Sequence, residues 1–114
     1  MTSLSRASLA TLPGIVARPG HAPEAICTGI VHFGPGACHR AHQAASVERL
    51  LDHDPRWGIA AVSLRSGGTT DALKAQDGLY TLAVIDREPS MRIIAAHSDA
   101  IGPGEGARLR KLLA

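Results

Sequence analysis

The sequence predicts an α/β fold in which parallel strands are covered by helices. An unbroken apolar run, Thr28 to Phe33, is typical of a strand in a parallel sheet. Apolar residues then recur at intervals of three and four from Ala41 to Leu51, which is the period of a helix. A second apolar run follows at Trp57 to Leu64. Because strand-helix-strand units are right-handed, we expect the two runs to be parallel neighbours in one sheet.

The length of the chain suits one domain, preceded by an irregular leader. The sequence has 114 residues, enough for a single modest core. Residues 1–27 contain Pro13, Pro19 and Pro23 and show no sustained apolar period, so we interpret them as a leader on the domain surface. The α/β domain itself is then expected over residues 28–114.

Three further elements are predicted after the second strand. Residues 69–76 are expected to form a short helix, capped by Thr69 or Thr70. The apolar segments Tyr80 to Ile85 and Met91 to Ala96 flank a turn that contains a proline, which predicts a β-hairpin. The final ten residues have one apolar side and predict another helix.

Composition excludes several classes of partner. The net charge is only +2, and the chain has one Trp, one Tyr and one Phe, so we expect no nucleic-acid binding. No apolar run approaches the roughly 20 residues that cross a bilayer, so no membrane is expected. Cys27 and Cys38 follow no secretory leader and are interpreted as free thiols, which favours a cytoplasmic location.

The turn after the first strand has the features of a nucleotide-binding turn. In the stretch "GIVHFGPGACHRAHQA", residues 29–44, the strand ends in Gly34 and Gly36 and passes directly into the helix. Glycines allow the backbone to approach a pyrophosphate, and the free N–H groups at the helix start face its charge. We assign this role to the two glycines, with Pro35 and Ala37 contributing backbone. The alternative is that the glycines only shape a tight turn.

The third glycine of the common nucleotide-binding fingerprint is replaced by His39. A histidine at that position needs more room between helix and strand, or an outward orientation. His39, Arg40 and His42 are therefore interpreted first as residues that support the turn. A metal site is the alternative, but two histidines three residues apart are too few ligands for zinc. The other four histidines show no common spacing and are interpreted as ordinary surface or core residues.

This stretch resembles the signature of the polyol-specific long-chain dehydrogenases, the mannitol dehydrogenase and fructuronate reductase (mannonate oxidoreductase) family. The later blocks "WGIAAVSLRS" and "DALKAQDGLYTLAV" are similar to the family segments that follow, in the same order and at about the same spacing. The resemblance implies a partial, doubly wound Rossmann domain that binds a nicotinamide dinucleotide. His39, Arg40 and His42 belong to the family signature, and we expect them to support the turn first and to contact the cofactor second. It also implies an N-terminal fragment of an oxidoreductase that acts on a polyol or hexuronate, with a helical catalytic domain elsewhere.

Two positions depart from the family pattern. Cys38 stands where the family has phenylalanine, which removes a large apolar anchor behind the turn. Gly67 and Gly68 stand where relatives carry an acidic residue that would bind the ribose hydroxyls of NAD. Arg65 and Ser66 would lie near that ribose, so NAD is the expected cofactor while NADP stays an alternative. In the next signature block, Gln76, Asp77 and Gly78 form a loop in which Asp77 is expected to brace the strand at Tyr80.

The sequence contains no residue that matches the catalytic motif of the family. Hydride transfer from an alcohol needs a base, which in this family is a lysine. Lys74 and Lys111 are the only lysines, and neither lies in a similar block. We therefore expect the chain alone to be inactive and a separate chain to be able to supply the catalytic domain. The alternative is a nucleotide-binding or interaction module without catalysis.

Overall fold

A computed structural model describes residues 4–114 as two three-stranded sheets flanked by three α-helices. The strands are β1 (Val16–Ala17), β2 (Thr28–Phe33), β3 (Gly58–Val62), β4 (Tyr80–Val84), β5 (Ser90–Ile94) and β6 (His97–Ile101). The helices are α1 (Ala44–Leu51), α2 (Gly68–Ala75) and α3 (Gly106–Leu113). A π-helical turn, His39–Gln43, leads into α1, and 3-10 turns occur at Leu9–Thr11, Pro23–Ala25 and Pro55–Trp57. Within the described residues, no helix is long and apolar enough to cross a membrane.

The parallel sheet has the strand order β2-β3-β6. β2 and β3 are parallel neighbours, as the strand-helix-strand pattern predicts. All five residues of β3 are buried because it lies in the centre, whereas β2 is an edge strand in which Phe33 is 49% exposed. The third strand, β6, was not predicted: it begins with His97, Ser98 and Asp99, which carry no apolar signal.

The second sheet is built around the hairpin. β4 and β5 pair antiparallel, with Tyr80 opposite Ile94 and Val84 opposite Ser90, so the predicted hairpin is confirmed. The leader adds β1, which pairs parallel to β5 through Val16 and Met91. Apolar side chains of the leader pack with β1 against the hairpin sheet, and they are Leu4, Leu9 and Leu12.

The helices occupy the predicted segments, but α2 begins differently. Its N-cap is Gly67, and no side chain caps it, so the predicted cap by Thr69 or Thr70 is wrong. The helix starts earlier than predicted, which places both threonines inside its first turn. The hydroxyl of Thr70 instead donates a hydrogen bond back to the Gly67 carbonyl, at 3.2 Å.

A β-bulge at Gly29 brings two backbone segments very close together. Thr28 is opposite Gly58 and Ile30 is opposite Ile59, so Gly29 is the extra residue on β2. A Cβ atom built on Gly29 would lie 2.1 Å from the carbonyl oxygen of Arg56. The bulge can therefore form only with glycine at this position.

A buried carboxylate joins α1 to the link between the sheets. Glu48 is 2% exposed, and its Oε2 accepts a hydrogen bond of 2.9 Å from the N–H of Ala95. Its Oε1 lies 3.7 Å from Nδ1 of His21, whose Nε2 faces the Ala95 carbonyl at 3.1 Å. Burial raises the pKa of the Glu48 carboxyl. These contacts join the leader and α1 to Ala95 in the two-residue link between β5 and β6.

Candidate functional site

The parallel strands end at one edge of their sheet, and backbone hydrogen bonds tie these ends together. The N–H of Gly34, just after β2, donates to the carbonyl of Val62 at 2.8 Å. The N–H of Ser63, just after β3, donates to the carbonyl of Ile101 at 2.9 Å. In open α/β sheets, ligands bind in the crevice outside the carboxyl ends of the strands. The loops that leave this edge are therefore the candidate site.

The glycine turn leaves its outer side open. Gly34 has a φ of 85°, in the left-handed region that favours glycine. The N–H of Gly36 donates to the Gly34 carbonyl at 2.8 Å, and the helix begins at Ala37. Apart from the adjacent residues, no atom of residues 4–114 lies within 4 Å of a Cβ built on either glycine. The turn thus offers uncovered backbone directly before a helix start, which is the shape that a pyrophosphate requires.

His39 points inward and joins three histidines into one cluster. Its ring stacks on His32 of β2, with centroids 4.0 Å apart and an interplanar angle of 9°. Its Nε2 lies 3.0 Å from Nε2 of His97, the first residue of β6. His39 and His97 are only 6% and 3% exposed. Sequence spacing could not reveal this cluster, because the fold assembles it from β2, the helix start and an unpredicted strand.

The turn that carries His39 is a π-helical turn fixed from outside the helix. The N–H of Ala44 donates to the His39 carbonyl, five residues earlier. The Tyr80 hydroxyl of β4 donates to the Arg40 carbonyl at 2.6 Å. Burial raises the pKa of Tyr80, which keeps the hydroxyl protonated and able to donate. Gln43 accepts from His39 Nδ1 at 2.7 Å, with its amide oxygen oriented toward the ring.

We predict that the histidine cluster makes the fold sensitive to acid. Burial, reinforced by His39, lowers the pKa of His97 to about 4, whereas an unfolded histidine titrates near 6.5. Below pH 6.5 the histidine is protonated in the unfolded chain but stays neutral in the folded chain. The free energy of unfolding therefore decreases as the pH falls. The loss from His97 between pH 6.5 and pH 5 is roughly 1.5 kcal/mol. Urea unfolding followed by circular dichroism at several pH values measures it.

His97→Gln is the control for acid sensitivity, because glutamine cannot titrate. The free energy of unfolding of this variant should vary less with pH between 6.5 and 5 than that of the wild type. An equal pH dependence in both proteins would show that other groups cause the acid loss.

Two separate cavities lie near the glycine turn and the helix start that follows it. A cleft of about 360 Å³ lies beside the glycine turn, lined by His32, Gly34, Gly36, Cys38, His39, His42 and Gln43. Arg40 does not line this cleft. It borders a second cavity of about 210 Å³ next to Gly68, Thr69 and Tyr80.

A carboxylate from α2 lies beside the loop after β3, which the sequence pattern did not reveal. Arg65 and Ser66 lie in this loop, and the Ser66 carbonyl accepts a hydrogen bond from the Ser63 hydroxyl. Asp71, in the first turn of α2, reaches back toward Gly67, where an added Cβ would be 3.1 Å from the carboxylate. An acidic group therefore lies at this loop although glycines occupy the expected acidic position.

The loop after α2 differs from its predicted role. Asp77 has a φ of 56°, and its carboxylate accepts a hydrogen bond from the N–H of Arg6 at 3.0 Å. The side chain of Gln76 instead donates to the Leu79 carbonyl at 2.8 Å. The predicted brace before Tyr80 is thus supplied by Gln76, and Asp77 holds the leader. Among residues 4–114, no group of three or more His, Cys, Asp or Glu side chains is arranged to hold a metal ion.

Parallel strands in the order β2-β3-β6, with an open glycine turn between strand and helix, define a Rossmann-type nucleotide-binding domain. The mannitol dehydrogenase Rossmann-domain family matches residues 28–112. The chain belongs to the mannitol dehydrogenase family, and the resemblance seen in its sequence is confirmed.

Relatives from several organisms agree with this assignment. A polyol:NADP oxidoreductase of Gluconobacter oxydans is 43% identical over 69% of this chain, and D-mannonate oxidoreductase of Escherichia coli is 40% identical over 77%. A ternary complex of Pseudomonas fluorescens mannitol 2-dehydrogenase with NAD and D-mannitol has a TM-score of 0.88 and 30% identity, and the match covers 99% of this chain and 25% of that one. The matches cover 17% and 19% of the length of the first two relatives.

Proposed function

We propose that this chain binds a nicotinamide dinucleotide at the glycine turn, as the cofactor-binding portion of a polyol or hexuronate oxidoreductase. The observation that carries the proposal is the open space at Gly34 and Gly36, at the carboxyl edge of the sheet and directly before a helix. The bound dinucleotide would accept or donate the hydride. The chain itself would bind and orient it.

The proposed contacts divide into two groups. The backbone from Gly34 to Ala37 would face the pyrophosphate, because it lies at the uncovered helix start. The N–H of Ala37 would be the donor, since Gly34 and Gly36 donate their own N–H groups within the fold. Arg65 and Ser66 would lie beside the adenosine ribose, because they follow the adjacent strand. His39 and Arg40 would support the turn, since the ring of His39 is buried and Arg40 lies away from the cleft.

We propose NAD as the preferred cofactor. The carboxylate of Asp71 beside Gly67 can accept hydrogen bonds from ribose hydroxyls and would repel a 2′-phosphate. Arg65 has the opposite preference, because a guanidinium attracts phosphate. Calorimetric titration with NAD and NADP in parallel tests the balance. Tighter binding of NADP would show that Arg65 outweighs Asp71.

We also propose that the proton-transferring groups of the oxidoreductase come from outside these residues, on a separate chain or on further sequence. Lys74 forms an ion pair with Glu105, and Lys111 lies on α3. Neither lysine lines the cleft beside the glycine turn. The purified chain should therefore bind the dinucleotide without oxidising D-mannitol or reducing D-fructuronate. Turnover above the buffer rate would refute this part of the proposal.

Gly36→Val tests the site itself. Its side chain would project into the open space beside the turn, so we expect the fold to be kept and NAD affinity to fall at least tenfold. Calorimetry measures the affinity, and circular dichroism checks the fold. Gly14→Val is the matched control, because Gly14 also has open space around an added Cβ but lies in the leader. Equal affinity of Gly36→Val and wild type would contradict the proposed site.

A further inference from the structure

The helix turn at the proposed cofactor site is attached to the far strand of the sheet through a pair of imidazoles. His32 lies on β2 and His97 on β6, with β3 between them. The ring of His39 contacts both histidines and so bridges the two outer strands. His97 is the first residue of β6 and belongs to neither the glycine turn nor the cleft beside it. Its contact with His39 therefore ties the position of the turn to that of β6.

The hydrogen bonds assign a proton to each ring. Nδ1 of His39 donates to the Gln43 amide oxygen, so the Nε2 of a neutral His39 carries a lone pair. Nε2 of His97 must then be the donor across the 3.0 Å contact. Nδ1 of His97 is left without a proton and has no partner in the described structure. The bond between the rings needs a lone pair on one Nε2, so it cannot form when both rings are protonated.

The charges around the pair favour this neutral arrangement. His32 is stacked on His39, Arg40 follows it in the helix, and Tyr80 of β4 lies with its ring centroid 5.8 Å from that of His97. Glu48, a buried carboxylate whose charge acts on Tyr80, accepts its own hydrogen bond from Ala95. No acid in the described structure bonds to either ring, and burial lowers the pKa of both histidines. The bond between the rings is thus a neutral N–H···N bond at neutral pH.

We propose that His97 is a positioning residue for the dinucleotide: by donating to His39, it fixes the π-helical turn that sets the helix start against the pyrophosphate. The inference rests on the proposed function. The side chain of His39 has three contacts: Nδ1 with Gln43, Nε2 with His97 and the ring face with His32. The backbone carbonyl of His39 accepts the π-helical hydrogen bond from Ala44. Loss of the His97 donor leaves Nε2 of His39 buried without a partner, which costs free energy and allows the ring and its turn to move.

Two variants at position 97 separate positioning from simple packing. His97→Gln keeps an N–H donor with about the reach of Nε2, whereas His97→Leu fills similar space without a donor. Calorimetry with NAD should give affinities within threefold of wild type for His97→Gln and about tenfold weaker for His97→Leu. His53→Leu, at an exposed histidine, is the control and should bind like wild type. In ¹⁵N spectra, a coupling across the N–H···N bond should be present for wild type and His97→Gln, and absent for His97→Leu.

Each outcome decides the inference. Equal affinity of His97→Leu and wild type, or equal weakening by both variants, would overturn the positioning role while leaving the proposed function intact. Absence of NAD binding by the folded wild type would overturn the proposed function and this inference with it. If His97→Leu does not fold, His97→Asn takes its place, because its amide is too short to reach His39. It should then bind about tenfold more weakly than His97→Gln.

Discussion

Gly29→Ala is expected to destabilise the domain by about 3 kcal/mol, because the added methyl group would collide with backbone and not with a movable side chain. The Cβ would lie 2.1 Å from the Arg56 carbonyl oxygen and 3.1 Å from the Cα of Trp57. To relieve the clash, the bulge must open and the pairing of β2 with β3 must shift. Typical domain stabilities are about 5–15 kcal/mol, so the expected loss is a large fraction of the total.

Urea unfolding followed by circular dichroism measures the effect of Gly29→Ala. Gly14→Ala is the matched control, since an added Cβ there meets no atom of the described residues within 4 Å. Its free energy of unfolding should stay within about 0.5 kcal/mol of wild type. A Gly29→Ala protein as stable as wild type would mean that the bulge and the close approach at Arg56 do not exist in solution.

Glu48→Ala is expected to cost about 3 kcal/mol, and Glu48→Gln much less. Alanine removes the acceptor of the Ala95 N–H and leaves a cavity beside His21 in a buried environment. Glutamine keeps an acceptor oxygen and nearly the same volume. Because burial raises the pKa of Glu48, the neutral amide also avoids burying a charge. We expect Glu48→Gln to lie within about 1 kcal/mol of wild type.

Urea unfolding gives the free energy of unfolding of each Glu48 variant from its midpoint and slope. Glu24→Ala, at an exposed glutamate in the leader, controls for the loss of one negative charge and should be nearly neutral. Equal destabilisation by alanine and glutamine would show that the carboxylate charge, and not the hydrogen bond to Ala95, holds the β5–β6 link.

The sequence predicted most of the fold because its strands and helices carry strong local patterns. β2, β3, the hairpin and the three helices lie where apolar runs or helical periods indicated them. β6 lacks such a pattern: its first three residues are polar, and it is a strand because it pairs with the buried β3. Pairing with β3 therefore determines that this segment is a strand, and its local sequence could not have predicted it.

The sequence predicted only the part of the site that a local motif encodes. Gly34 and Gly36 lie together at one turn, so a local motif could indicate them. Asp71 and His97 come from other elements and reach the site region only through the helix α2 and the strand β6. Contacts between residues far apart in sequence leave no regular spacing, which is why the carboxylate beside Gly67 and the histidine pair appear only in the structure.

The two-residue link Ala95–Ala96 has a consequence for cooperativity. Both residues are almost completely buried, and the Ala96 carbonyl accepts a hydrogen bond of 2.9 Å from Ile59 in the central strand. Bending at this link would expose both alanines and break their hydrogen bonds to Glu48 and Ile59, so we expect the two sheets to open together. The amide protons of Ala95 and Ile59 should therefore exchange with solvent only through global unfolding, and the two sheets should behave as a single folding unit in hydrogen exchange.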